Sequence, residues 1–237
     1  STALQDSVIS SIKLMQMYGA KITFKKKQTC CGQPAFNSGY FKEAKEVAFY
    51  NMALFADNDY PIVIPAGSCA GMMSHDYRLL FREDSQDVRD SVERFASRIY
   101  DQSEYLTEVL NAQLEDKGEP IKVTFHVSCH SLRIQECIPV QKALIRQLKN
   151  VTLVDVPYEE ECCGFGGTFS IKEPEISNAM VSEKIKHIRE TGCSIVLAGD
   201  NGCILNISGA LAKQGITDIK VMNIYDFIYK RVTGEKL

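Results

Sequence analysis

The chain has 237 residues, of which 45% are hydrophobic, 24% charged and 9% aromatic, a composition that excludes a disordered, collagen-like or disulfide-stapled miniature protein. Its net charge of −3 argues against nucleic acid as a partner. The longest apolar run, residues 62–69, is much shorter than the roughly 20 residues of a membrane span. We therefore expect a soluble, cytoplasmic protein without a transmembrane segment, with membrane association only through partners.

Apolar, β-branched runs alternate along the chain with segments that have a 3.6-residue apolar spacing. The runs predict strands at 20–24, 60–65, 121–127, 151–156, 194–198 and 219–224. The spacing predicts helices at 5–18, 40–56, 85–113, 139–148, 173–191, 203–213 and 225–232. Such alternation is typical of an α/β fold with parallel sheets and helices on both faces.

The two halves of the chain contain the same cysteine pattern. The tetrapeptide TCCG at 29–32 recurs as ECCG at 161–164, an offset of 132 residues. A further cysteine follows each pair, Cys69 in the first half and Cys203 in the second, and these lie 134 residues apart. The pattern indicates an internal repeat.

A turn-rich segment at 115–120 predicts a boundary between a first domain at 1–117 and a second at 118–237. The second half has an additional cysteine, Cys129, 33 residues before its Cys-Cys pair. The equivalent position of the first half falls before residue 1. We therefore expect the first domain to lack its opening strand and cysteine.

Seven of the nine cysteines lie just beyond the end of a predicted strand. Because the carboxyl ends of parallel strands meet at one edge of a sheet, these thiols are expected to converge there as metal ligands. The seven candidates are Cys30, Cys31 and Cys69 in the first half and Cys129, Cys162, Cys163 and Cys203 in the second. The other two, Cys137 and Cys193, are predicted to be small buried hydrophobic residues.

Four thiolates suit an iron–sulfur cluster, [4Fe–4S] or [2Fe–2S], or a tetrahedral zinc ion. Adjacent thiolates are awkward for a single ion, whereas a cluster lets neighbouring sulfurs bind different irons, so the pattern favours iron–sulfur over zinc. A strained vicinal disulfide is a further alternative. Gly32 and Gly164 follow the pairs and are candidates to adopt positive φ and aim backbone N–H groups at a cofactor.

Four histidines are candidate titratable groups: His75, His126, His130 and His187. His126 and His130 flank Cys129, so they are candidates to orient or tune a cluster. The alternative is that His126 is an ordinary strand residue and that the other three lie at the surface. No hydride-handling or acid–base constellation is evident in the sequence.

The doubled cysteine pattern resembles the cysteine-rich (CCG) domain family, which includes the cysteine-rich subunit of heterodisulfide reductase and the iron–sulfur subunit of glycolate oxidase. Segments QTCCGQPAFNSG at 28–39 and CCGFGGTFS at 162–170 resemble the lactate utilization protein A group of that family. The fold we expect is two pseudo-symmetric, Rossmann-like parallel-sheet lobes. The resemblance implies an oxidoreductase subunit that transfers electrons by an iron–sulfur cluster within an L-lactate oxidising complex, toward the respiratory chain. Its implied partners are the other subunits of that complex.

The sequence departs from the wider family in the last motif of each half. Cys69-Ala-Gly-Met72 and Cys203-Ile-Leu-Asn206 each lack the second cysteine of a Cys-x-x-Cys motif. A conventional [4Fe–4S] cluster is therefore expected in the second half in preference to the first half, whose set of thiols is less complete. The alternatives are a zinc-binding or thiol-redox protein, or a subunit of a glycolate oxidase or heterodisulfide reductase type complex.

Overall fold

The computed structural model describes residues 4–237 and has the predicted α/β architecture, two parallel sheets flanked by helices. The strands are β1 (Ile62–Ile64), β2 (Ile99–Asp101), β3 (Ile121–His126), β4 (Val151–Val154), β5 (Ile195–Ala198) and β6 (Lys220–Asn223). The α-helices are α1 (Gln5–Met17), α2 (Gln33–Asn37), α3 (Phe41–Leu54), α4 (Gly67–Gly71), α5 (Tyr77–Leu80), α6 (Gln86–Ala96), α7 (Gln102–Glu104), α8 (Cys129–Arg133), α9 (Ile138–Gln147), α10 (Phe169–Lys172), α11 (Pro174–Glu190), α12 (Asn201–Lys213) and α13 (Ile224–Thr233). Two π-helical turns lie at Met72–Asp76 and Tyr105–Val109. Within residues 4–237, no helix combines the length and the apolar character needed to cross a membrane.

The larger sheet belongs to the second half of the chain. Its order is β4-β3-β5-β6, and each neighbouring pair is parallel. All residues of β5 are buried, which suits a central strand covered by helices on both faces. The strand order reverses between β3 and β5. In open parallel sheets, ligands bind in the crevice beyond the carboxyl ends of the strands at this point.

The smaller sheet belongs to the first half and pairs β1 with β2 in parallel. Strand β2 lies within the segment 85–113, for which the apolar spacing predicts one long helix, and that prediction is wrong. Helix α6 ends at Ala96 because Ile99 and Tyr100 pair with β1. Asp101 then caps α7 in a reciprocal capping box with Glu104, which starts a new helix at that point.

The strand predicted at 20–24 is also wrong, since residues 20–25 have no regular secondary structure. Ala20 and Ile22 pack against the core of the larger sheet instead of pairing with a neighbouring strand. A short β-prone run forms a strand only where a partner is available for pairing. The other five predicted strands are present, with ends that differ from the prediction by at most two residues.

The first helix packs into the core beside the larger sheet. Leu14 of α1 and Leu106 share one buried cluster with Phe125 of β3 and Phe227 of α13, and α1 lies directly against α13. Burial of these apolar side chains removes them from water and ties the start of the chain to its end.

The turn at the predicted domain boundary is held to α13 by a buried ion pair. Arg231 donates to Asp116 through Nε at 2.7 Å and through Nη2 at 2.8 Å. Two parallel charge-assisted bonds of this kind fix geometry as well as charge. The division into 1–117 and 118–237 stays a prediction, and residues 1–3 of the first predicted domain lie outside the described residues.

Candidate metal sites

The four candidate cysteines of the second half lie beyond the carboxyl ends of three neighbouring strands. Cys129 opens α8 after β3, Cys162 and Cys163 lie in the loop after β4, and Cys203 lies in the first turn of α12 after β5. The sheet order reverses between β3 and β5. Cys129 and Cys203 therefore flank the position where sheets of this type bind ligands.

The four sulfurs of this second-half site lie close enough to shift one another's ionisation. Cys129 and Cys163 lower the pKa of Cys162, and Cys163 lowers the pKa of Cys203 despite its burial. The same pairings raise the pKa of Cys129 and of Cys163. Cys162 and Cys203 are therefore the sulfurs of the group that lose a proton first, and thiolate is the form that binds metals.

The backbone after this cysteine pair is shaped around the sulfurs. The Gly164 amide donates to Sγ of Cys162 at 3.3 Å, and the Phe165 amide opposes the rise in the pKa of Cys163. Gly164 has a φ of +81°, and a Cβ there would lie 2.7 Å from the carbonyl oxygen of Ser177. This position requires glycine, and successive N–H groups that point to one place favour negative charge there.

The first half brings its three candidate cysteines together in the same way. Sγ of Cys31 donates to Sγ of Cys69 at 3.4 Å. The hydrogen bond to Cys31 and burial raise the pKa of Cys30, while the Gly32 amide opposes that rise. Gly32 has a φ of +90°, so both predictions of positive φ are confirmed. In this first-half site Cys30 is exposed, whereas Cys31 is only 4% exposed.

One carboxylate links the two sites. Asp200, 3% exposed, accepts hydrogen bonds from the Ser68 amide at 3.0 Å, from the Ser68 hydroxyl, and from the Ser131 hydroxyl at 3.1 Å. Ser68 directly precedes Cys69, and Ser131 lies two residues after Cys129. Asp200 therefore fixes a segment of each site. Sequence reasoning missed this role, because its partners Ser68 and Ser131 lie far from Asp200 along the chain.

The loops after the two Cys-Cys-Gly motifs are also in contact. The hydroxyls of Ser38 and Thr168 lie 2.6 Å apart. A Cβ placed on Gly167 would lie 3.6 Å from Pro34. The two candidate sites thus lie on one shared boundary between the halves of the molecule.

The remaining two cysteines lie outside both groups. Cys137 is 0% exposed and Cys193 is 4% exposed, which confirms the prediction that they are small buried residues. The Cys137 sulfur accepts a hydrogen bond from Gln141 at 3.4 Å, and the Cys193 thiol donates to the Thr191 carbonyl at 3.8 Å.

The prediction that His75, His130 and His187 lie at the surface is correct only in part. His75 is exposed, as predicted. The surface prediction is wrong for His187, which is 7% exposed because α11 packs it under the loop after β4, where Nδ1 is hydrogen-bonded to Glu161 at 2.9 Å. His130 is half-buried, with Nδ1 3.8 Å from Sγ of Cys129. His126 is the last residue of β3, as predicted, and is 1% exposed.

The donors of the second-half site fit a thiolate-bound metal group. A ring nitrogen of His126 and the sulfurs of Cys163 and Cys203 all lie within 4.8 Å of one another. Both ring nitrogens of His126 are buried and lack a hydrogen-bond partner among residues 4–237. Buried polar groups are normally hydrogen-bonded, so an unpaired buried imidazole beside clustered thiols indicates a metal ligand. Thiolate and imidazole donors suit zinc and iron, including iron–sulfur clusters.

Fold and site together define a class, an α/β protein that carries two repeated Cys-Cys-Gly motifs beside parallel sheets. A family model described as cysteine-rich domain (CCG) matches residues 8–74 and 123–208. The first match contains the three candidate cysteines of the first half, and the second contains the four of the second half.

Relatives of known name match most of the chain. Lactate utilization protein A 1 of Bacillus mycoides is 41% identical over 206 residues, which are 86% of this chain and 82% of the relative. Lactate utilization protein A of Geobacillus thermodenitrificans is 40% identical over 222 residues, 94% of this chain and 91% of the relative. That of Geobacillus kaustophilus is 41% identical over 224 residues, with the same coverage. The chain belongs to the cysteine-rich (CCG) domain family, in the group of relatives that contains these lactate utilization proteins.

Proposed function

We propose that this chain is an iron–sulfur electron-transfer subunit of a system that oxidises L-lactate to pyruvate and passes the electrons toward the respiratory chain. The observation that carries the proposal is the cluster of four thiols at the strand-order reversal. It is supported by about 40% identity to lactate utilization proteins A over most of the chain. Oxidation of lactate to pyruvate releases two electrons and two protons, so it needs an electron carrier.

The proposed ligands of a [4Fe–4S] cluster are Cys129, Cys162, Cys163 and Cys203. A cluster held by these residues would supply one-electron transfer without proton transfer. The amides of Gly164 and Phe165 support it, because hydrogen bonds to ligand sulfurs tune the potential of such a group.

The burial of the four thiols suits an electron carrier that meets a partner. Cys163 is 1% and Cys203 is 9% exposed, so one side of the site is shielded from water. Cys129 and Cys162 are half-buried and lie on the accessible side. We assign the dehydrogenation of lactate to another subunit of the complex. That subunit would pass the released electrons to this chain.

The first-half site is proposed as a second, incomplete metal site. Cys30, Cys31 and Cys69 supply three thiols, and Gly32 supplies the same amide geometry as Gly164. A tetrahedral metal with three thiolate ligands keeps one position for a further donor. The site is therefore the less strongly binding of the two.

Growth on lactate tests this function directly. In the source organism, deletion of the gene should abolish growth on L-lactate as sole carbon source, and the wild-type gene should restore it. Cys163→Ser should fail to restore growth, while Cys193→Ser, a buried thiol outside both sites, should succeed. Both strains should grow normally on glucose. Normal growth on lactate with Cys163→Ser at equal protein level would contradict the proposal.

A mononuclear zinc site is the second candidate. The observation that favours it is that ligand atoms of His126, Cys163 and Cys203 all lie within 4.8 Å of one another, which suits one tetrahedral ion. Metal and sulfide analysis separates the two candidates, since zinc sites contain no acid-labile sulfide.

A further inference from the structure

His126 lies at the crevice of the larger sheet. Packing alone does not explain why a side chain with two polar ring nitrogens is buried there. It is the last residue of β3 and is paired in register with Ala198 of β5. Its side chain is 1% exposed. Strands β3 and β5 are those between which the sheet order reverses, so His126 lies at the base of the second-half site.

The ring nitrogens of His126 are unsatisfied, which is costly in a buried position. A neutral imidazole has one N–H donor and one acceptor nitrogen, and neither meets hydrogen-bond geometry with a partner among residues 4–237. The ring nonetheless lies close enough to Cys203 to lower the pKa of its thiol. Each such group left unpaired costs about 1–3 kcal/mol. The buried His187 shows the ordinary solution, with Nδ1 hydrogen-bonded to Glu161 at 2.9 Å.

The His126 ring lies beside cysteine sulfurs, which are good metal ligands and weak hydrogen-bond partners. A ring nitrogen lies within 4.8 Å of the sulfurs of both Cys163 and Cys203. Metal–nitrogen and metal–sulfur bonds are about 2.0–2.3 Å long, so ligands of one tetrahedral metal lie roughly 3.5–4 Å apart. Small side-chain adjustments would bring all three donors to one metal group.

The neighbouring polar side chain of α12 does not compete for this position. Asn206, three residues after Cys203, donates its amide to the carbonyl oxygen of Cys163 at 2.7 Å. Its role is to hold the cysteine loop. Asn206 therefore leaves the position beside Cys163 and Cys203 to the imidazole of His126.

We propose that His126 is a nitrogen ligand of the metal group in the second-half site, bound beside Cys163 and Cys203. A [4Fe–4S] cluster takes one protein ligand per iron, so in such a cluster His126 would take the place of one of the four thiols. This inference rests on the proposed function only in that a metal group is bound. Imidazole is a neutral donor, whereas thiolate is anionic, so its coordination lowers the negative charge of the site. Where histidine replaces cysteine as a ligand of an iron–sulfur group, the reduction potential rises.

Nitrogen hyperfine spectroscopy tests the proposal on the full chain purified without oxygen. The protein is prepared with natural and with ¹⁵N-labelled histidine, and pulsed EPR is recorded on the reduced, metal-loaded form. We expect a strong nitrogen coupling that changes with the isotope and is lost in His126→Cys. His130→Gln is the matched control, because His130 also lies near the site, and it should keep the coupling.

The variant His126→Cys adds a second readout. It keeps a metal donor at the position, so we expect iron content to be retained while the reduction potential falls by several tens of millivolts or more. His75→Gln, at an exposed histidine, should leave both unchanged. An unchanged potential and an isotope-insensitive spectrum in iron-loaded protein would overturn the ligand assignment and leave the proposed function intact.

Metal analysis of the same preparation separates the two failures. Zinc or iron without sulfide would overturn the proposed function, and X-ray absorption at that metal edge would then decide the ligand assignment. A nitrogen scatterer that disappears in His126→Cys would support it, and an all-sulfur shell in the wild type would overturn it. A chain that binds no metal after anaerobic reconstitution would overturn both.

Discussion

The first-half site joins three thiols, with Cys30 exposed to solvent, whereas the second-half site joins four thiols and an imidazole, with Cys163 only 1% exposed. Both sites have a glycine of positive φ whose amide points at a sulfur. The repeated element is thus the Cys-Cys-Gly loop, and the complete set of donors is present in one copy alone among the described residues.

The sheets explain this difference. The second-half site lies at the strand-order reversal of a four-stranded sheet, which brings donors from the ends of β3, β4 and β5 to one place. Among the described residues, the first-half sheet consists of β1 and β2, so Cys69 follows a strand and the Cys30-Cys31 pair comes from an irregular segment. A larger sheet supplies more strand ends and therefore more donors.

Of the changes considered, Cys163→Ser should have the largest effect on the difference in metal binding between the two sites. Loss of the most buried second-half thiol should remove about four irons per chain and the matching sulfide, because serine is a poor ligand for iron. Cys31→Ser, the equivalent change in the first half, should remove less. Iron and sulfide assays with circular dichroism check this, and Cys193→Ser should behave as the wild type. An iron loss with Cys193→Ser as large as with Cys163→Ser would show that the ligand assignment is wrong.

Alkylation of the metal-free protein should distinguish the sites by thiol acidity. Cys129 and Cys163 hold the pKa of Cys162 well below that of an ordinary thiol, so we expect it to be a thiolate near pH 6. The pKa of Cys30 is raised, so it remains a thiol at that pH and becomes reactive only in more alkaline solution. We expect iodoacetamide to modify Cys162 roughly tenfold faster than Cys30 near pH 6, despite the greater exposure of Cys30. Peptide mass spectrometry measures both rates, and faster reaction at Cys30 would refute the prediction.

The two loop glycines should respond unequally to alanine. Gly32→Ala should cost about 1–2 kcal/mol of unfolding free energy, the cost of a left-handed backbone for a residue with Cβ. Its Cβ would meet the Ala44 oxygen at 3.4 Å, an acceptable contact, whereas a Cβ at Gly164 would lie 2.7 Å from the Ser177 oxygen. Gly164→Ala should therefore cost about 3 kcal/mol or more. Urea unfolding of the metal-free variants measures the difference, and equal values would contradict the structure.

Asp200→Ala should weaken the link between the two sites. It removes the acceptor shared by Ser68 and Ser131, and we expect a loss of about 2 kcal/mol in unfolding free energy. Asp218→Ala, at an exposed aspartate, should leave stability unchanged. Urea unfolding of metal-free protein checks both, since neither residue is a proposed ligand. Equal stability of the two variants would show that Asp200 does not join the halves.

Much of the fold and of the site could be predicted from local pattern. The α/β alternation and the convergence of Cys129, Cys162, Cys163 and Cys203 follow from apolar runs and from where cysteines end them. The strand at Ile99–Asp101 could not, because an Ile-Tyr pair within a helical spacing becomes a strand only when β1 is beside it. The roles of Asp200 and His187 depend on partners far away in sequence, which no single-segment pattern contains.

The most direct test of the central claim is the iron, zinc and acid-labile sulfide content of the anaerobically purified protein, measured together with its EPR spectrum. The account predicts about four irons and four sulfides for the second-half site, with absorbance near 400 nm. The same preparation of Cys163→Ser should lose that iron and sulfide. Zinc without sulfide in the wild-type protein would contradict the account.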